Sequence, residues 1–109
     1  MPAMEKQVAR EWSHSPEQVF AALTQVVEDG KYRLGGRDDA TGRLSFEKGS
    51  KWGWIHVFTA TVEPAGNGAR LDLTVASPPD AVIGLANGLI LQKAADKTVN
   101  AVDAALADR

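Results

Sequence analysis

The sequence has no cysteine, no long apolar run and no block of like charge. The absence of cysteine among its 109 residues excludes disulfide bonds and thiolate metal sites. The longest apolar run, residues 81–91, contains Gly84, Asn87 and Gly88 and is much shorter than the roughly 20 apolar residues that span a bilayer. The first twelve residues lack the apolar core of a signal peptide. These absences predict a cytoplasmic protein with no membrane partner.

Charge is nearly balanced along the chain. Lys and Arg number 12 and Asp and Glu number 14, which gives a formal net charge of −2. A polyanion-binding tail would need a block of basic residues. Trp52 and Trp54 beside Lys51 are the residue types that stack on single-stranded bases, but both tryptophans fall on the strand face that we assign to the core. The sequence therefore predicts no nucleic-acid partner.

Motifs for catalysis and metal binding are absent. The sequence has no nucleophile elbow, no paired-carboxylate motif and no glycine-rich loop that leads into a helix to hold phosphate. Its two histidines, His14 and His56, have no carboxylates at the spacing of a metal site. We therefore predict that the protein is not an enzyme and has no catalytic residue, cofactor or metal ion.

The segment from Trp52 to Val62, WGWIHVFTATV, is the longest run of β-branched and aromatic residues in the chain. Such residues suit a pleated, largely buried surface, so the segment predicts the central strand of an antiparallel sheet. Its even-numbered side chains carry the larger apolar area. We expect them to face the helices and the core, and the odd-numbered side chains to face outward.

The rest of the chain predicts four further strands and two helices. Ser15-Pro16-Glu17-Gln18 supplies a helix cap, a proline suited to the first turn and the second half of a capping box. Gly30 is the stop signal of that helix. Ser77-Pro78-Pro79-Asp80 repeats the start signal before a long helix that reaches about Ala107. Strands are predicted at 5–13, 32–37, 43–48 and 71–75, with turns at 38–42 and 63–68.

This order of strand, helix, four strands and helix predicts a single α+β domain over residues 1–109. The expected architecture is an antiparallel sheet of four to five strands, with an N-terminal helix and a long C-terminal helix packed on one face in a helix-grip-like arrangement. The segment 5–13 alternates poorly between apolar and polar residues, so we expect it at an edge of the sheet.

Several caps and turns together resemble a known family. They are Ser15-Pro16 at a helix start, Asp39-Ala40-Thr41-Gly42 in a hairpin, Trp52-Gly53 before a strand, Gly66 and Gly68 in the next turn, and a long terminal helix. The pattern is similar to a family of small uncharacterised bacterial domains, often actinobacterial, over most of the chain. More distantly, it resembles half of a START or polyketide-cyclase-like helix-grip domain. The resemblance implies the fold and assigns no activity.

His56 falls on the face of the central strand that we assign to the core. One interpretation is a neutral core histidine that is hydrogen-bonded to a nearby side chain or carbonyl. A second is a polar group inside a ligand pocket, and a third is a metal ligand. The sequence leaves the choice among them open.

A candidate ligand pocket lies between the sheet and the C-terminal helix. Small-molecule sites are mostly apolar with a few polar groups, and the predicted lining follows that composition. Its residues are Phe20, Leu23, Tyr32, Trp54, His56, Phe58, Asn87, Leu91 and Thr98. For Asn87 and Thr98, which fall within the apolar arc of the last helix, a hydrogen bond to the helix backbone or modest exposure near the helix end is the alternative role.

A candidate interface lies on the outward face of the central strand, at Ile55, Val57 and Thr59. These residues either form the strand on a face left to water or form the centre of a homodimer interface. We therefore predict a non-enzymatic binding or interaction module that forms a homodimer. The alternative is a carrier of small hydrophobic ligands that uses the pocket between sheet and helix.

Overall fold

The computed structural model describes residues 5–49, 55–76 and 87–107, and the side chains of 87–90 are outside this description. The predicted order of elements is confirmed. The elements are β1 (Glu5–Trp12), α1 (Pro16–Asp29), β2 (Arg33–Asp38), β3 (Arg43–Gly49), β4 (Ile55–Ala65), β5 (Gly68–Ala76) and α2 (Asn87–Ala107). The predicted start of the last helix at 77–80 and the tryptophans at 52 and 54 lie outside the described residues.

The five strands form one antiparallel sheet in the order β1-β5-β4-β3-β2. As predicted, β4 is central and β1 lies at an edge. The sequence places a turn from residue 63, but β4 continues to Ala65, and Pro64 pairs with Ala69 of β5. Proline is tolerated in this central strand because the pairing with β3 stops at Thr61, so Pro64 has a strand on one side only.

α1 begins as its sequence predicts. Ser15 Oγ accepts a hydrogen bond from Gln18 N (3.2 Å), and the Gln18 side chain accepts one from Ser15 N (3.0 Å), which completes a capping box. Gly30 ends the helix at φ −84°, and the left-handed conformation belongs to Lys31, at φ 62°. Glycine is required at position 30 for a different reason, because a Cβ there would lie 2.5 Å from the Tyr32 ring.

The core fills the space between one face of the sheet and both helices. In β4, Phe58, Ala60 and Val62 are buried while Ile55 and Val57 are exposed, so the predicted orientation of this strand is confirmed where it is described. α1 packs on β2, β4 and β5, α2 packs on β1 and β5, and the helices contact each other. The helical residues of the core are Val19, Ala22, Leu23, Val26, Val27, Leu91, Ala95, Val99, Val102 and Leu106.

Polar contacts attach α2 to the edge strand β1. Arg10 donates to the side chains of Asn100 (3.2 Å) and Asp103 (2.7 Å). Trp12 Nε1 donates to the second carboxylate oxygen of Asp103. These contacts hold the C-terminal half of α2 against the sheet. Neither α1 nor the described part of α2 is long and apolar enough to cross a membrane.

Candidate functional site

Tyr32 lies just after α1, at the centre of an aromatic group. Its ring makes edge-to-face contacts with Phe46 (centroids 5.1 Å apart) and Phe58 (5.3 Å). Phe46 and Phe58 are opposite each other in the β3–β4 ladder and stack with centroids 4.9 Å apart. Edge-to-face pairs of this kind are favourable beyond the apolar area that they bury. Together with the close approach of Gly30, they hold the Tyr32 ring in one orientation.

The Tyr32 hydroxyl is hydrogen-bonded to Thr98 of α2. The two oxygens are 3.1 Å apart, and Thr98 Oγ1 also donates to the carbonyl oxygen of Ala94 at 2.9 Å. Because a threonine hydroxyl has one hydrogen, Tyr32 is the donor and Thr98 the acceptor in the bond between them. Thr98 is fully buried. Thr98 therefore makes the hydrogen bond to its own helix that the sequence offered as its alternative role. It also accepts a hydrogen bond from Tyr32, another polar residue of the predicted pocket.

Two hollows meet at Tyr32, and together they are called the tyrosine cleft. The smaller has a volume of about 190 Å³ and is lined by Tyr32, Lys48, Gly49, His56, Phe58, Ala94 and Lys97. The larger, of about 380 Å³, is lined by Gln25, Val26, Asp29, Gly30, Tyr32, Lys48, Lys97, Ala101, Ala104 and Ala105. The hollows share Tyr32, Lys48 and Lys97. The wall that α2 contributes is mostly alanine, and these short side chains leave space beside the ring.

The smaller hollow has basic side chains on two walls. Lys48 Nζ lies 4.8 Å from the centre of the Tyr32 ring, within the range of a cation–π contact. His56 is opposite Lys48 in the β3–β4 ladder and is half-buried. Burial lowers the pKa of His56 below its usual value of 6.5, so the imidazole is neutral at pH 7. Among the described residues, none hydrogen-bonds to it, and its ring lies in the cleft wall rather than in the closed core.

The structure brings together only part of the predicted pocket. Tyr32, His56 and Phe58 line the tyrosine cleft, and Thr98 lies behind the Tyr32 hydroxyl. Trp54 and the side chain of Asn87 lie outside the described residues. Within the described part of the chain, no three side chains of the metal-ligating types are close enough to hold a metal ion.

Three predicted lining residues lie elsewhere, which corrects the predicted grouping. Leu23 and Leu91 have no exposed surface and belong to the core that the two helices form with the sheet. Phe20 lines a different cleft at the other end of α1. The grouping also omitted Lys48 and Lys97. Lys48 follows Phe46 by two residues in β3, and this alternation was a signal that its side chain points to the helix face.

The second cleft has a volume of about 470 Å³ and lies between the start of α1, the β2–β3 turn and the end of β4. The Arg37 guanidinium covers the Phe20 ring, 5.5 Å from its centre, and is paired with Asp39. The Asp38 carboxylate accepts hydrogen bonds from two backbone N–H groups of the turn. These polar groups bond one another and stabilise the turn. Although this cleft is larger than either hollow of the tyrosine cleft, its arginine is already paired with a carboxylate, so we take the tyrosine cleft as the candidate site.

The outer face of the sheet contains the predicted interface residues. Ile55 and Val57 are each 41% exposed. Val57 lies between Glu47 of β3 and Ala76 of β5, and Thr59 lies between a serine and a threonine of the same two strands. Apart from Glu47, which is paired with Arg33, the middle of this face is therefore a strip of small and β-branched side chains on the side of the sheet opposite the tyrosine cleft.

Known structures share the fold at low sequence identity. Ara h 8.0201, a Bet v 1-like helix-grip protein, matches with a TM-score of 0.73 and 12% identity over 99% of this chain and 100% of that chain. A protein from Chromobacterium violaceum matches with a TM-score of 0.57 and 16% identity, covering 94% of this chain and 96% of that chain. An uncharacterised protein from Rhizobium leguminosarum matches with a TM-score of 0.55 and 14% identity, covering 99% and 97%.

No protein-family model and no curated protein sequence matches the chain. The structural matches confirm the helix-grip part of the resemblance found in the sequence, and its actinobacterial part stays a prediction. At such low identity the matches concern the fold alone. The protein has an α+β, Bet v 1-like helix-grip fold.

Proposed function

We propose that this protein is a non-enzymatic binding module that holds a small, largely apolar molecule in the tyrosine cleft. The observation that carries the proposal is the pair of hollows that meet at a fixed Tyr32 ring. The larger hollow, of about 380 Å³, is within the usual range of small-molecule sites, roughly 300–1,000 Å³. Because the ring is already held by aromatic contacts and a hydrogen bond, little ordering is required when a ligand binds.

The lining supports an apolar ligand with one polar end. The Tyr32 ring and the alanines of α2 form an apolar wall along the larger hollow. Lys48 and Lys97 lie where the two hollows meet, and His56 lines the smaller hollow. A mostly apolar wall with a few polar groups is the usual composition of a small-molecule site. The neighbours support the proposal at the level of the fold, since theirs is a ligand-binding fold.

The test is an NMR titration of the isotope-labelled protein with decanol and with naphthol. We expect shifted backbone amides to cluster at Tyr32, Lys48 and Ala101. Ala104→Leu places a larger side chain in the larger hollow and should weaken binding. Its matched control is Ala21→Leu, the same change at an exposed alanine of α1 that lines the second cleft. Amide shifts that cluster at the second cleft, or equal effects of the two variants, would contradict the proposal.

A second candidate function is self-association through the outer face of the sheet. Two features favour it: Ile55 and Val57 are each 41% exposed on the central strand, and a two-fold pairing would cover both copies of this face at once. Because the tyrosine cleft lies on the opposite face, a dimer of this kind would leave the cleft accessible.

Sedimentation velocity over a range of protein concentrations tests the dimer. We expect a dimer that Val57→Arg dissociates, because a long charged side chain at the centre of the interface would have to be taken out of water, which is costly. Ala21→Arg introduces the same charge on α1 and should leave the dimer intact. A monomer at every concentration would rule out this second function.

A further inference from the structure

We propose that Lys48 and Lys97 bind the negatively charged end of the cleft's ligand, which makes the ligand a small amphipathic anion such as an aliphatic or aromatic carboxylate. This inference rests on the proposed function of the tyrosine cleft and goes beyond it by naming the ligand class.

The two lysines reach the cleft from different elements. Lys48 is near the end of β3 and Lys97 lies in the middle of α2, yet both line both hollows. Lys48 Nζ lies over the Tyr32 ring, so its ammonium group is directed into the cleft. A group bound where the two hollows meet can therefore be reached by both cations.

Neither lysine has a carboxylate partner within the part of the chain that the structure describes. The four ion pairs found there all use arginine, namely Arg10–Asp103, Arg33–Glu47, Arg37–Asp39 and Arg70–Asp72. Glu47, next to Lys48 in sequence, is thus paired with an arginine of β2. No carboxylate of the described residues therefore competes with an external anion for the two ammonium groups.

The other titratable groups of the cleft leave it positive. Asp29 lines only the larger hollow, at the end of α1, and none of the described residues that line the smaller one is a carboxylate. His56 adds no charge at neutral pH because burial lowers its pKa. The described residues of the cleft lining thus include two cations and one anion, whereas the whole chain has a net charge of −2. An anionic head group is favoured at the smaller hollow, with its apolar part along the alanine wall.

The lysines select for charge rather than for the shape of the head group. An ammonium group is a compact point charge with rotatable donors, unlike the planar fork of arginine. The half-buried surroundings of Lys48 reduce solvent screening and strengthen its attraction to an anion. We therefore expect the cleft to prefer an acid over the neutral alcohol of the same chain length.

Decanoate and decanol form a matched pair of probes for calorimetric and NMR titration of the full chain. Wild-type protein should bind decanoate more tightly. Lys48→Gln and Lys97→Gln should each weaken decanoate binding by up to about fivefold, which corresponds to about 1 kcal/mol, and should weaken decanol binding much less. Lys93→Gln removes an exposed charge of α2 that lines neither hollow and should change neither affinity. Added salt should weaken decanoate alone.

The outcomes separate this inference from the proposed function. If both probes shift the amides of the cleft but the lysine variants bind decanoate as tightly as wild type, the charge inference is overturned and the binding function stands. If neither probe shifts those amides, the proposed function fails and this inference fails with it. If the lysine variants lose decanol and decanoate equally while their thermal unfolding is unchanged, the lysines act through shape and the charge inference is overturned.

Discussion

The hydrogen bond between Tyr32 and Thr98 joins the sheet side of the cleft to α2, and its removal should destabilise the fold by a predictable amount. Thr98→Val replaces the hydroxyl with a methyl group of similar size at a fully buried position and takes away the acceptor of the Tyr32 hydroxyl. Tyr32→Phe takes away the donor and keeps the ring contacts with Phe46 and Phe58.

The expected loss in free energy of unfolding depends on which polar group each variant leaves without a hydrogen-bond partner. A hydrogen bond contributes about 0.5–1.5 kcal/mol net, and an orphaned buried polar group costs about 1–3 kcal/mol. Thr98→Val leaves the hydroxyl of the half-buried Tyr32 without its partner, so we expect a loss of about 1–2 kcal/mol. After Tyr32→Phe, Thr98 still donates to Ala94, so the expected loss is about 1 kcal/mol. Because both variants break one bond, the double variant should lose about 1 kcal/mol less than the sum.

Urea unfolding of the four proteins of this cycle measures the coupling. Thr24→Val is a matched control, since Thr24 Oγ1 donates to the carbonyl of Phe20 four residues earlier, as Thr98 does to Ala94, but has no tyrosine partner. The change in free energy of unfolding caused by Thr24→Val should simply add to the change caused by Tyr32→Phe. A coupling energy below about 0.3 kcal/mol for the Tyr32–Thr98 pair, within the usual scatter of additive sites, would refute this account of the cleft.

Three further predictions concern other parts of the fold. Ser15→Ala removes the cap of α1 and should cost about 1 kcal/mol in urea unfolding; an unchanged midpoint would contradict the role of the capping box. Gly42→Ala should destabilise more than Gly66→Ala, because both glycines have positive φ but only at Gly42 would a Cβ collide with the Val62 carbonyl oxygen; equal losses would show that the collision is relieved. The folded-state pKa of His56 is lowered by burial, so below pH 6.5 the unfolded chain binds the proton more readily and stability should fall. Thermal unfolding between pH 5 and 8 should show this fall in wild type and a smaller one in His56→Gln, and equal pH profiles would contradict it.

Most of the fold could be predicted from local patterns. The alternation of Leu71, Leu73 and Val75 predicts a half-buried strand, and all three side chains are buried in β5. Ser15 and Gln18 predict the start of α1, and the predicted capping box is present. Such signals depend on residues that are neighbours in sequence, so they can be recognised without knowledge of the tertiary structure.

The candidate site was harder to predict because it depends on contacts between distant residues. Phe20 and His56 seemed compatible with one pocket. However, Phe20 lies near the beginning of α1, whereas the tyrosine cleft, which His56 lines, meets α1 at Gly30, just after its last turn. At about 1.5 Å per residue these positions are about 15 Å apart, and each lines a separate cleft. The place of Tyr32 depends on the left-handed conformation of Lys31, which is uncommon for lysine and has no signature in the sequence.

The most direct test of the central claim is to locate bound decanoate by intermolecular nuclear Overhauser effects. The account predicts contacts from the aliphatic chain of the ligand to the Tyr32 ring and to the methyl groups of Ala101 and Ala104. Contacts to the Phe20 ring and the Ala21 methyl group, with none to Tyr32, would place the ligand in the second cleft and contradict the assignment of the tyrosine cleft as the binding site.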